Sequence, residues 1–108
     1  MVTPRSQVAE VIARYCEQLG RMGIRVERAI LFGSHAQAKA TEESDIDVLI
    51  VSSDFERMNT RERLELLGLA AARVWQPIEA IGCTPKEMEK VEPATLLEEI
   101  LETGVRVA

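Results

Sequence analysis

Apolar positions early in the chain fall at helical spacing. Val8, Val11, Ile12, Tyr15 and Leu19 recur at three- and four-residue steps, with Pro4 ahead of them and Gly20 and Gly23 behind. This predicts an amphipathic helix over residues 5–21 whose stripe faces a core. Residues 26–32 (VERAILF) end in a continuous apolar run halted by Gly33-Ser34, the pattern of a strand buried on both faces. Small helix formers follow at residues 35–40, and Ser34 is a good N-cap for a short helix there. After the polar stretch 41–44, residues 45–51 (DIDVLIV) read as a second strand with two acids at its start.

Past a loop at residues 52–54, residues 60–75 place Leu64, Leu67, Ala71 and Val74 on one helical stripe. Residues 76–83 form a third short apolar run with one acid, Glu79, inside it. Thr84-Pro85-Lys86-Glu87 then matches a capping box with proline at the first helical position. A last helix opens at Pro93, runs through Leu96, Leu97, Ile100 and Leu101, and closes at Gly104, leaving residues 105–107 (VRV) as an edge strand or a frayed end. The element order predicts an α/β (α+β) layer: one small mixed β-sheet flanked by helices, forming a single domain over residues 1–108.

Composition narrows the partners. With 46% hydrophobic and 29% charged residues the chain reads as an ordered globule. Its net charge of -5 argues against polymer DNA as the main ligand, because phosphate-binding faces are basic. Cys16 and Cys83 are far apart and lack metal-ligand spacing, so both read as reduced core thiols. The start of the chain has no signal-peptide pattern and no apolar run spans a bilayer, which predicts a cytoplasmic protein that avoids membranes.

The acids carry the chemistry. Asp45 and Asp47 lie two apart on a strand, so both carboxylates project from one face while Ile46 and Val48 take the other. Paired carboxylates repel, and a divalent cation relieves them: Mg²⁺ takes one or two carboxylates plus phosphate oxygens. Two such ions a few ångströms apart orient both attacking and leaving oxygens at a phosphorus. Glu79 is the natural third acid, either completing a metal shell or accepting the proton of an attacking hydroxyl. Gly33 and Ser34 offer a turn where a phosphate can approach the backbone at a helix N-terminus.

Gly33-Ser34, ten residues, and Asp45-Ile46-Asp47 reproduce the GSX10DXD signature, flanked by Ile30-Leu31-Phe32 and by Val48-Leu49-Ile50. In these blocks the chain resembles the minimal nucleotidyltransferases, small members of the DNA polymerase beta-type nucleotidyltransferase superfamily. The resemblance implies that family's fold, with Gly33 and Ser34 holding the phosphates of ATP, and Asp45, Asp47 and Glu79 as catalytic carboxylates binding Mg²⁺. Many relatives carry Asp where this chain has Glu79, and a larger or cationic residue where it has His35. The resemblance also implies an antitoxin role: small relatives pair with HEPN-domain toxins and transfer AMP to a tyrosine near the toxin's RNase motif. The alternative is a catalytically weak nucleotide-binding antitoxin subunit that neutralises its partner by binding alone.

Plainer readings stand beside these. Asp45 and Asp47 could be turn-forming acids at a solvated strand end, and Glu79 an edge-strand acid facing water. His35 reads as a surface or packing residue. Tyr15 and Trp75 lie on apolar stripes and are expected in the core, and the charges of residues 62–73 are expected to form a solvated face.

Overall fold

The structure, a computed structural model, describes residues 5–33, 36 and 45–108. The first helix, α1 (Arg5–Arg21), matches its expected limits. Strand β1 (Arg28–Phe32) starts two residues later than the apolar pattern suggested, and β2 (Ile46–Val51) starts one residue after Asp45. In place of the expected loop, Ser52 caps a 3-10 helix (Ser53–Arg57) that buries Phe55. Helix α2 (Thr60–Val74) follows, and its capping box closes through Asn59 and Glu62, whose side chains each accept from the other's backbone N–H at 2.8 and 2.9 Å. Strand β3 (Ile78–Cys83) leads into α3 (Pro85–Glu89), where the expected Thr84–Glu87 capping box is formed. Helix α4 (Leu96–Thr103) is capped by Thr95 and so begins after Pro93, and Val105–Arg106 forms β4. The short helix expected after the Gly-Ser turn falls outside the described residues.

The strands form one mixed sheet in the order β3-β2-β1-β4. Strand β1 pairs antiparallel with both β2 and β4, while β2 and β3 run parallel. The expected edge strand is therefore real, though only two residues long. Alternation along the strands separates two cores. Ala29, Leu31, Val48, Ile50 and Ile78 face α1 and α2, whereas Ile30, Leu49, Val51 and Cys83 join Ile100 of α4 on the other face. Each fully buried Leu or Ile contributes about 1.5–3 kcal/mol relative to exposure. Tyr15 is in the core as expected, and its hydroxyl donates to the Leu67 carbonyl at 2.8 Å, tying α1 to α2.

Helix α2 departs from its sequence reading at three places. Trp75 is not core: it ends the helix in the left-handed conformation (φ 57) and is 90% exposed. Leu64 is 53% exposed, whereas Leu67 and Ala71 of the expected stripe are buried and Ala70 joins them. Arg63 is not on a solvated face. Its guanidinium donates to the Phe55, Met58 and Gly82 carbonyls at 2.8, 3.1 and 3.3 Å and pairs with Glu87 at 2.8 Å. Cys83 is buried and Cys16 half-buried; both are free, and burial raises each thiol to a pKa of about 11, so neither is a ready nucleophile. No helix among the described residues is long and apolar enough to cross a membrane.

Candidate active site

Pairing directions bring the sequence's acids to one end of the sheet. Strand β1 arrives there at Phe32, while β2 and β3, being parallel to each other and opposed to β1, both depart from it. Asp47 is the register partner of Phe32 on one side and of Glu79 on the other. Register partners on neighbouring strands project from the same face, so the Asp47 and Glu79 side chains stand next to each other. Asp45 lies just outside β2 rather than within it, held near β3 by the Ile46 N–H, which donates to the Pro77 carbonyl at 2.7 Å.

The three carboxylates act on one another. Repulsion from Asp45, then from Asp47, raises the Glu79 pKa above the ordinary carboxylate range, and both aspartates lie within hydrogen-bonding reach of it. Glu79 is exposed, so neighbouring charge rather than burial dominates this shift. Among the described residues, no three His, Cys, Asp or Glu side chains form a ready-made metal cage. The donor set nonetheless suits a hard cation, because it offers carboxylate oxygens only and has a surplus of negative charge.

Gly33 belongs to the same structure. It has φ +72, and a Cβ there would land on the Asp47 carboxylate, 3.2 Å from its Cγ. Only glycine serves both needs. Ser34 and His35 lie outside the described residues; Ala36 packs against the core on the α1 side.

Two other acids that could have competed for the third position are committed elsewhere. Asp54 accepts from the Arg25 backbone N–H at 2.8 Å. Burial pushes the Glu87 carboxyl up, but hydrogen bonds from Arg63 and Thr84 outweigh it and hold the pKa below the ordinary value. Both follow the C-terminal ends of parallel strands, opposite the Asp47–Glu79 end.

The sequence reading missed what borders the acids. An open groove of about 480 Å³ joins Asp47 and Glu79 to Phe32, Leu64, Gly68, Ile81 and Leu96. The available signals were a glycine inside a helix and a stripe wider than its core needs.

Comparison with known proteins places the chain in a family. The nucleotidyltransferase domain family matches residues 9–106. A Methanocaldococcus jannaschii protein named "Putative protein adenylyltransferase" is 58% identical over 33 residues, which is 30% of this chain and 33% of that protein, so the match spans about a third of the relative. The crystal structure of a "putative nucleotidyltransferase" from Sulfolobus solfataricus superimposes with a TM-score of 0.57 at 21% identity, covering 92% of this chain and 74% of the other. A chain of a structure described as "the toxin-antitoxin with AMP-PNP" does so with a TM-score of 0.64 at 18% identity, covering 93% of this chain and 72% of that one. At these identities the two structures speak for the fold. Since the family match takes in both strands of the signature, the strand that carries Glu79 and the helices around them, the chain belongs to the nucleotidyltransferase domain family.

Proposed function

We propose that this chain is a protein adenylyltransferase that moves AMP from Mg-ATP onto a tyrosine hydroxyl of a partner toxin of the HEPN class, acting in the cytoplasm as its antitoxin. The observation that carries the reading is the placement of Asp47 beside Glu79 in register and against Gly33 in space. We take residues 1–108 as one nucleotidyltransferase domain. The protein adenylyltransferase name of the archaeal relative, and a neighbour from a structure described as a toxin-antitoxin with AMP-PNP, support an adenine nucleotide as substrate and a toxin as partner.

In this reading Gly33 and Ser34 receive the triphosphate, and Asp45 and Asp47, with Glu79 as either third ligand or base, hold the cations. Bound Mg²⁺ supplies charge neutralisation and alignment of the phosphates. The acceptor oxygen forms a bond to the α-phosphorus as the bond from that phosphorus to the bridging oxygen breaks, and pyrophosphate leaves. In the base role, Glu79 takes the hydroxyl proton, a task its place beside Asp47 in register allows.

The test is mass spectrometry of the protein encoded by the neighbouring gene after incubation with this chain, ATP and Mg²⁺. A gain of AMP on a tyrosine is the expected result. A stable complex without any gain would replace the enzyme reading with neutralisation by binding alone.

A further inference from the structure

Beside the carboxylates, the groove between α2 and α4 has apolar walls that are exposed among the described residues. Leu64 is 53% and Leu96 54% exposed, and they come from different helices onto the same opening, with Ile81 and Phe32 beneath. One helical turn beyond Leu64 stands Gly68, in the interior of α2. Glycine is a poor residue there. A Cβ at Gly68 would meet nothing within 4 Å among the described residues, so no contact there calls for its absence. What its absence does provide is room in the groove, on the side that opens to Asp47 and Glu79.

We propose that this groove seats the acceptor: an aromatic side chain of a partner protein lies over Gly68 between Leu64 and Leu96 and presents its hydroxyl to Glu79. The inference rests on the transferase reading and adds where the acceptor enters and which residues select it. The order across the sheet favours the acceptor over the nucleotide base. The Gly33 turn ends β1, Asp47 is on β2 and Glu79 is on β3. In-line displacement puts the attacking oxygen opposite the departing pyrophosphate. With pyrophosphate toward β1, attack comes from the β3 flank, where Leu64 and Gly68 of α2 line the opening. Leucine walls with carboxylates at one end match a side chain with a rigid apolar body and a polar tip. A serine hydroxyl, only one carbon from its backbone, cannot span such a groove. The reaction is unchanged: the phenolic oxygen bonds to the α-phosphorus, pyrophosphate leaves and Glu79 receives the proton.

The test is an amide-resolved NMR titration of the full chain with N-acetyl-tyrosinamide, with N-acetyl-serinamide, and separately with Mg²⁺ plus a non-hydrolysable ATP analogue. Tyrosinamide should shift the amides of Leu64, Gly68 and Leu96, and serinamide should not. In Gly68→Leu, tyrosinamide binding should weaken at least tenfold, while affinity for the Mg-bound ATP analogue stays within twofold and thermal stability does not fall. Leu64→Ser, at an exposed position, should weaken tyrosinamide binding in the same direction and serves if Gly68→Leu does not fold. Tyrosinamide shifts elsewhere, or none, would overturn the proposal. So would a matching loss of nucleotide affinity in either variant, which would give the groove to the base. Failure of the transferase reading looks different: the Mg-bound analogue would leave the amides of Gly33 and Asp47 unmoved.

Discussion

At the residue scale the site combines two carboxylates that oppose stability with a glycine that their crowding requires. Asp47 is half-buried beside a second carboxylate, Glu79 carries a proton affinity raised by two neighbours, and Gly33 holds a left-handed backbone. Gly33→Ala should cost about 2 kcal/mol, from the positive φ and from displacement of Asp47, read as a lower urea midpoint together with weaker nucleotide binding. Asp47→Asn should abolish the proposed AMP transfer without unfolding the protein, because it removes a proposed hard-cation ligand but keeps the shape. Transfer at the parent rate in that variant would remove Asp47 from the metal site. Glu79→Gln separates binding from chemistry: the metal-free protein becomes slightly more stable, nucleotide affinity holds, and turnover falls on the order of 10² to 10⁴. Normal turnover would return Glu79 to the status of an ordinary strand acid.

At the element scale, Arg63 of α2 joins the 3-10 helix, the end of β3 and the start of α3 at the end of the sheet away from the acids. Lysine cannot reproduce a planar fork that serves three carbonyls and a carboxylate, so Arg63→Lys should lower stability by about 2–3 kcal/mol in chemical denaturation. The same contact predicts a pH dependence. The folded state holds Glu87 below the ordinary carboxylate range, so as acid is added the unfolded chain takes up that proton first. The stabilisation is whole above about pH 4.3 and is lost as the pH falls through the lower folded value. Urea midpoints of the parent and of Glu87→Gln should differ at neutral pH and converge in acid. A constant gap across that range would show that the Arg63–Glu87 pair is not what stabilises this end.

At the scale of the whole molecule, the acids are an electrostatic cost that ligand binding should repay. Whatever binds only the folded state stabilises it by mass action, about 2.7 kcal/mol at one hundred times its Kd. For a chain of this length that corresponds to a rise in Tm on the order of 10 °C. Mg-ATP should produce the rise in a thermal scan, and ATP with a chelator should not. An equal rise without Mg²⁺ would refute the cation's place at Asp45 and Asp47.

What the sequence determined by itself is what neighbouring residues encode. The periodicities of α1 and β2, the Thr84–Glu87 cap and the spacing from Gly33-Ser34 to Asp45-Ile46-Asp47 are all local, so they were readable before any fold was known. Glu79 was readable as a candidate only. Its place inside an apolar run set it apart from Asp54 and Glu87, but which acid it would face was not local: the parallel pairing of β2 with β3 sets it against Asp47 and sends the other two to the opposite end. The same limit explains Trp75 and Leu64. A helical stripe tells which residues share a face, but how much of that face is covered depends on which elements pack against it. Tertiary packing covered Leu67, Ala70 and Ala71 and left Leu64, Gly68 and Leu96 lining the groove beside the carboxylates.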